Sequence, residues 1–190
     1  MKLKLLFLAL FYSLLSVAQT FTGTGGSIPD NVQQIEFPLN VNGLSAANLS
    51  STFGLKQVCL TIIHPYDSDL NVSLVSPSGV VVNLFSGIGG SGNNFSNTCL
   101  SQTATSTINA GAPPFSGTFK PQETLGNINN GLYDPNGTWK LRILDTYPAD
   151  QGILVNWSIT FGTNAPTPFV FTSSNLPIVL INTNNQTIVD

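Results

Sequence analysis

The sequence predicts an all-β protein, a β-sandwich of the Greek-key or jelly-roll type. Helical periodicity is almost absent after residue 18, and short apolar or alternating runs recur, separated by Gly, Pro, Asn and Asp. Several runs have one apolar and one polar face, as expected for a sheet covered on one side by a partner sheet. Because the runs are short and their loops differ in length, a two-layer sandwich accommodates them best.

The clearest local prediction is a β-hairpin. Leu70, Val72 and Leu74 alternate with polar residues, so they predict a strand with one buried face. The next segment, residues 76–79 (SPSG), has proline at the second and glycine at the fourth position, which suits a tight type I turn. Residues 80–85 then form the expected return strand.

Three further runs predict strands. Residues 58–63 (VCLTII) are continuously apolar, which is typical of a strand buried on both faces. Two alternating runs near the C-terminal end, connected by residues 145–152, predict a second hairpin. The apolar positions of the first run are Trp139, Leu141 and Ile143, and those of the second are Val155, Trp157, Ile159 and Phe161. We expect both tryptophans to lie in the core.

Residues 1–18 have the layout of a secretory signal peptide. Lys2 and Lys4 precede an apolar run, and the small residues Ser16 and Ala18 suit a cleavage site. The apolar run is shorter than the roughly 20 residues that a membrane-spanning helix needs. We therefore predict an exported protein, secreted or at the cell surface, without a transmembrane span.

Charged residues are scarce, at 8% of the chain, and the formal net charge is −3. The few basic side chains cannot cover a phosphate backbone, so the composition argues against a nucleic-acid partner. Hydrophobic residues make up 42% of the chain, which together with the low charge is the opposite of a disordered composition. These features are typical of a folded extracellular β domain.

Cys59 and Cys99 are the two cysteines of the chain. An even number in an exported protein permits one disulfide, which would close a loop of roughly 40 residues and contribute about 3–4 kcal/mol on the chain-entropy account. Two buried free thiols are the alternative. A C-x-x-C spacing is absent, so the sequence indicates neither redox catalysis nor a cysteine-based zinc site.

Four ordered stretches resemble the P domain (P/Homo B domain), which is known beside the subtilisin-like catalytic domain of proprotein convertases. They are IPDN at 28–31, IIHPYDSDL at 62–70 with LVSPSG at 74–79, APPFSGTFKP at 112–121, and NGTWKLRILD at 136–145 with GIL at 152–154 and WSI at 157–159. The resemblance implies a jelly-roll module, and we assign it residues 19–162. It is similar to a version common in secreted Bacteroidetes proteins, in which cysteines near these two positions recur together, and this supports the disulfide.

Residues 163–190 are predicted to be a linker and the start of a downstream domain. The composition of residues 162–168 (GTNAPTP) is typical of a linker, and residues 176–181 (LPIVLI) form another strand-like run. Residues 174–183 (SNLPIVLINT) resemble the opening of spore-coat protein H (CotH) kinase-like domains. That resemblance implies a kinase-like domain after this module.

Asp67 and Asp69 place two carboxylates on a predicted turn between strands, which suggests a calcium site. Calcium prefers six to eight hard oxygen ligands, and Asn93 and carbonyls of the glycine-rich loop at 86–98 could supply others. The resemblance also implies calcium, although the position of Asn93 is acidic in many relatives, so a weak site is expected here. The alternative is that both aspartates only bond local backbone amides.

His64 is the one histidine of the chain, so any Ser-His-Asp arrangement would have to use it. A combination with Asp67 or Asp69 and a serine is conceivable, but no serine lies in a G-x-S-x-G context. We therefore expect His64 to donate a hydrogen bond at a strand end and predict that the chain is not an enzyme.

These observations favour a non-catalytic module that stabilises an adjacent domain or binds an extracellular protein or glycan. The first alternative is an accessory domain of a subtilisin/kexin-like serine endopeptidase, associated with proteolysis only through its neighbour. The second is a carbohydrate-binding module. Loop aromatics could contact such partners, and they are Tyr66, Phe95, Phe115, Tyr133 and Tyr147.

Overall fold

The computed structural model describes residues 18–169, which form two packed β-sheets. The predicted signal peptide before Ala18 and the kinase-like resemblance at 174–183 lie outside the described residues. The nine strands of the described part are β1 (Gln19–Ile28), β2 (Gln34–Val41), β3 (Gly54–Ile63), β4 (Leu70–Val75), β5 (Val81–Ser86), β6 (Phe95–Leu100), β7 (Gly117–Phe119), β8 (Gly137–Asp145) and β9 (Gly152–Gly162).

One sheet has the strand order β1-β9-β3-β6-β7 and the other has the order β2-β8-β4-β5. Neighbouring strands are antiparallel except β6 and β7, which are parallel. Between residues 18 and 169 the helices are three single 3-10 turns, and none is long and apolar enough to cross a membrane. The predicted all-β sandwich is confirmed.

Of the two predicted hairpins, the first is confirmed and the second is wrong. Strands β4 and β5 pair through the turn, with Val75 opposite Val81. Strand β8 lies between β2 and β4, whereas β9 lies between β1 and β3 in the other sheet. Both strands have an apolar face because they cover the same core from opposite sides. Alternation alone does not distinguish a neighbouring strand from a facing one.

The prediction that residues 58–63 are buried on both faces is also wrong. Val58, Leu60 and Ile62 are buried, whereas Ile63 is 53% exposed. Strand β3 is central in its sheet, but a two-layer sandwich covers only the inner face of each sheet. The outward-facing positions of β3 therefore stay accessible despite their apolar residues.

The core lies between the two sheets and includes both tryptophans. Trp139 and Trp157 are 0% and 1% exposed. The Trp139 indole N–H donates to the Pro135 carbonyl at 2.8 Å, and its ring meets Phe161 edge-on. Val155 does not share this core, because a bulge in β9 shifts the pairing with β3 and leaves Val155 on the surface.

Cys59 and Cys99 form the predicted disulfide. They lie directly opposite each other in the register of β3 and β6. Each is half-buried and alternates with fully buried neighbours such as Val58 and Leu100, so the bond lies on the outer face of the five-stranded sheet.

Candidate functional site

Three loops meet at one end of the sandwich, which we call the polar end. They are residues 64–69 after β3, residues 87–94 between β5 and β6, and residues 146–151 between β8 and β9. Asp67 and Ser68 donate backbone hydrogen bonds to Gly92 and Gly90, and Thr146 donates one to the Asp69 carbonyl oxygen at 2.8 Å. The turn at 64–69 is therefore held by both other loops.

His64 is fully buried at this end and is held on both sides of its ring. Its Nε2 atom lies 3.2 Å from Oδ2 of Asp145, which is also buried at the end of β8. Its Nδ1 atom lies 2.8 Å from the carbonyl oxygen of Tyr66. The ring occupies space that a side chain at position 152 would need, since a Cβ on Gly152 would be 2.5 Å from it. His64 therefore joins the ends of β3 and β8.

Asp67 is fully buried, and neither of its carboxylate oxygens has a hydrogen-bond partner. The adjacent backbone amide of Asn94 donates instead to the His64 carbonyl oxygen at 3.1 Å. Burial raises the pKa of the Asp67 carboxyl to about 7, and the proximity of the Asn94 amide offsets this only in part. Buried polar atoms in native proteins are nearly always paired, so this orphaned carboxylate is a candidate ligand-binding group.

The glycine-rich loop lies directly over Asp67. Gly89 has a φ of +90°, and a Cβ there would lie 2.7 Å from the Asp67 Cβ and 2.9 Å from the Phe115 ring. Only glycine permits both this backbone conformation and this close approach. The loop carbonyls of Gly90 and Gly92 accept one backbone hydrogen bond each, and a carbonyl oxygen has a second lone pair.

Asp69 lies in a different environment from Asp67. It is half-buried and lines a pocket of about 360 Å³ together with Tyr66, Tyr147, Ala149 and Asp150. Burial, followed by the negative charge of Asp145, raises the pKa of the Asp69 carboxyl. The two carboxylates that the sequence suggested as one ligand pair are therefore in separate surroundings.

Asn93, the third predicted ligand, is exposed. The asparagine that contacts this site is its neighbour Asn94, whose Oδ1 accepts the His64 backbone N–H at 3.0 Å. Within residues 18–169, no cluster of three or more His, Cys, Asp or Glu side chains could hold a metal ion. A cation at Asp67 would rely on one carboxylate and on loop carbonyls. The two orphaned oxygens of Asp67 fit such an ion, because calcium prefers hard oxygen ligands.

Sequence reasoning missed the pairing of His64 with Asp145 and the grouping of Tyr147 and Asp150 with Asp69. His64 and Asp145 are 81 residues apart, and no short motif links them. The one usable signal was that each residue immediately follows or ends a predicted strand, but this did not show that the two strand ends meet.

The fold and the polar end together define a β-sandwich module whose candidate binding groups lie in its loops. The chain belongs to the proprotein convertase P-domain family, which it matches over residues 56–120 and 128–161, more than half of the sequence. It is 31% identical over 145 residues to "Leupeptin-inactivating enzyme 1" of Streptomyces exfoliatus, a match covering 75% of this chain and 26% of that protein. It is 24% identical over 144 residues to "Transglutaminase-activating metalloprotease" of Streptomyces mobaraensis, covering 74% of this chain and 16% of that protein.

Two solved structures are also similar to the chain. A serine protease of Aeromonas sobria aligns with a TM-score of 0.31 and 19% identity, covering 73% of this chain and 27% of that one. The complex of an Aeromonas sobria serine protease with its chaperone aligns with a TM-score of 0.30 and 18% identity, covering 74% and 27%. The chain thus spans about a quarter or less of the length of the curated relatives that it matches.

Proposed function

We propose that this P domain is a non-catalytic accessory module of an exported protein, which stabilises a neighbouring domain or binds an extracellular partner. The observation that carries this proposal is the complete burial of His64, the one histidine of the chain. A general base must come within hydrogen-bond reach of a reacting group. Both ring nitrogens of His64 instead face Tyr66 and Asp145, so the ring is built into the fold.

The relatives support an accessory role. The matched segment covers only 26% and 16% of the two Streptomyces proteins, so most of each relative lies outside it. A module that accompanies other domains is consistent with this distribution. Export is supported by the Cys59–Cys99 disulfide, because disulfides persist in oxidising compartments.

The identity of the neighbour separates two versions of this proposal. The kinase-like resemblance at 174–183 favours a kinase-like domain on the C-terminal side, as in secreted Bacteroidetes proteins. The metalloprotease among the relatives favours a protease, in which this domain contributes to proteolysis by association. Reading the encoding gene beyond residue 190 distinguishes the two.

The test has two arms. The purified chain is incubated with a mixed fluorogenic peptide library, and we expect no cleavage above that of a matched blank. The full polypeptide is then expressed with residues 19–162 present, deleted, or replaced by an unrelated β-sandwich of the same length, and the melting temperature of the neighbouring domain is measured. We expect a lower melting temperature in both altered forms. Cleavage by the chain alone would contradict the non-catalytic role, and identical melting temperatures of the neighbouring domain in all three forms would contradict the stabilising role.

Calcium is the cofactor that we propose for the polar end. Asp67 would hold it with the carbonyl oxygens of residues 89–92, and the bound ion would compensate the otherwise unpartnered carboxylate. Asp69 and Asn93 would contribute less, since Asp69 lines the neighbouring pocket and Asn93 is exposed.

Thermal melts at pH 7.5 with millimolar calcium, magnesium or chelator test this assignment. We expect calcium to raise the melting temperature of the wild type and of Asp69→Asn but not of Asp67→Asn, since ligand binding stabilises only the state that binds it. Glu123→Gln, which removes an exposed charge elsewhere, serves as the matched control. The calcium proposal fails if the wild type does not respond, or if Asp67→Asn responds equally.

A further inference from the structure

The pocket beside Asp69 is separate from the surroundings of Asp67 and has a distinct lining. Two tyrosines and two aspartates from two loops form most of its wall, with Ala149 between them. Tyr66 is 40% exposed and Tyr147 is 67% exposed, so both rings are available to a ligand.

Hydrogen bonds hold this pocket in shape before any ligand arrives. The backbone N–H and the hydroxyl of Thr146 both donate to the Asp69 carbonyl oxygen, at 2.8 and 2.9 Å. The backbone N–H of Ala149 donates to Oδ2 of Asp30 in the turn between β1 and β2, at 2.9 Å. The loop that contains Tyr147 and Asp150 is thereby attached to two other segments, so a ligand would not have to order it.

The negative charge of the pocket is not neutralised within the described part of the chain. The carboxylates of Asp69 and Asp150 both line the pocket, and the imidazole of the nearby His64 faces Asp145 at 3.2 Å. Among residues 18–169, the Lys and Arg ion pairs are both with Glu36, on the outer face of the other sheet. None of these Lys and Arg ion pairs involves a pocket carboxylate, so a cation from a ligand could pair with the pocket.

We propose that this pocket binds a basic side chain, an arginine or a lysine, of a protein partner; this rests on the proposed role as an accessory module. The carboxylates of Asp69 and Asp150 would pair with the cation, and the faces of Tyr66 and Tyr147 would contact it through cation–π attraction. A neutral ligand would leave the repulsion between the carboxylates uncompensated.

An exposed apolar pair on strands β3 and β9 fits the same partner. Ile63 and Ile153 are directly opposite in the β3/β9 register and are 53% and 51% exposed. They lie at the strand ends that lead into the two pocket loops. A partner whose basic side chain enters the pocket would cover these isoleucines with its apolar atoms, giving the apolar contact around a polar anchor that is typical of interfaces.

The test titrates the ¹⁵N-labelled full chain with acetyl-arginine methylamide, acetyl-lysine methylamide and the neutral isostere acetyl-citrulline methylamide. We expect saturable amide shifts at residues 66–69 and 146–151 with the two cations but not with citrulline. Salt should weaken the binding, because the contact is an exposed ion pair. Asp150→Asn and Tyr147→Ala should each weaken it about three- to fivefold.

Two controls accompany these variants. Glu123→Gln removes one exposed negative charge outside the pocket, and Tyr133→Ala removes another loop tyrosine. Both should leave the affinity for the arginine probe unchanged. The amide spectra of all variants must superimpose away from the altered residues, which shows that each variant is folded.

Equal shifts with citrulline, no saturable shifts with either cation, or unchanged affinity in both pocket variants would overturn the proposal. Saturation of the pocket by a neutral oligosaccharide such as cellotriose, without a response to the cations, would overturn it in favour of a glycan site. Failure here is distinguishable from failure of the accessory role. The peptide-cleavage assay and the domain-deletion melts do not depend on the arginine probe, so each proposal can fail alone.

Discussion

Asn129 and Asp67 are both buried polar side chains, but their surroundings differ in one decisive respect. Asn129 is 3% exposed, and its Oδ1 accepts the Leu55 backbone N–H at 2.8 Å. Its Nδ2 donates to the carbonyl oxygens of Leu55 and Pro166, each at 2.9 Å. Asp67 is 0% exposed, and neither of its oxygens has a partner.

This difference separates a structural group from a candidate binding group. Asn129 joins the start of β3 to the segment after β9, and a buried amide with all these bonds stabilises the fold. An unpartnered buried carboxylate destabilises the fold unless it is protonated or bound by a ligand. The His64–Asp145 pair is intermediate, since it is ionisable and buried but partnered.

The largest expected effect is on the paired group. Asp145→Ala should destabilise the protein by about 3–5 kcal/mol, because it removes the buried partner of the Nε2 atom of His64. Asp145→Asn keeps an acceptor oxygen and should cost less. Chemical denaturation at pH 7 measures both, and a loss below about 1 kcal/mol for Asp145→Ala would show that the pair does not stabilise the fold.

The second largest effect is expected for Asn129→Ala, which should lower the free energy of unfolding by about 2–3 kcal/mol. The Leu55 N–H and two carbonyl groups would become unpaired in a buried site. Asn127→Ala, two residues earlier and half-buried, is the matched control and should change stability by less than about 0.5 kcal/mol. Equal effects of the two substitutions in urea melts would remove the contrast between Asn129 and Asp67.

The smallest change in stability is expected for Asp67→Asn at pH 4, within about 1 kcal/mol, because the protonated carboxyl and the new amide are then both neutral groups buried without partners. The main effect of Asp67→Asn is expected in the pH dependence of protein stability. Burial raises the pKa of Asp67 to about 7 in the fold, above its unfolded value, so the metal-free wild type gains stability from the protonated group at low pH. That contribution is lost as the pH rises from about 4 to about 7.

Asp67→Asn should therefore lose less stability than the wild type between pH 4 and 7.5 in chelator. Denaturation midpoints at four pH values provide the comparison, and Glu123→Gln should follow the wild type. Parallel curves for wild type and Asp67→Asn would mean that Asp67 is ionised throughout this range, against the raised pKa.

Local sequence patterns predicted the strands well wherever period-two alternation was regular. Leu70, Val72 and Leu74 face the core as expected, and the turn after them closes the hairpin with β5. The alternation in β9 failed at Val155, because a bulge against β3 changes which residues face inward. A bulge depends on the partner strand, so the β9 sequence alone contains no sign of it.

From the sequence, the candidate site could be predicted only as a set of residues, without their spatial arrangement. The sequence singled out the turn of Asp67 and Asp69 as a candidate site and joined them with Asn93 into one ligand set. The structure gives Asp67 a buried position beneath Gly89 and gives Asp69 a pocket shared with Asp150. Which loop covers which carboxylate depends on chain segments far apart in sequence.

By itself, the sequence determined the β-sandwich class and the inward-facing residues of β4, β8 and most of β9. These follow from local patterning, because successive side chains of a strand alternate between its two faces. Only the tertiary structure decided that β8 and β9 belong to opposite sheets, that His64 meets Asp145, and that Asp67 is buried without a partner. Those features arise from long-range strand pairing and loop packing, and the two-residue period of a strand does not specify its neighbours.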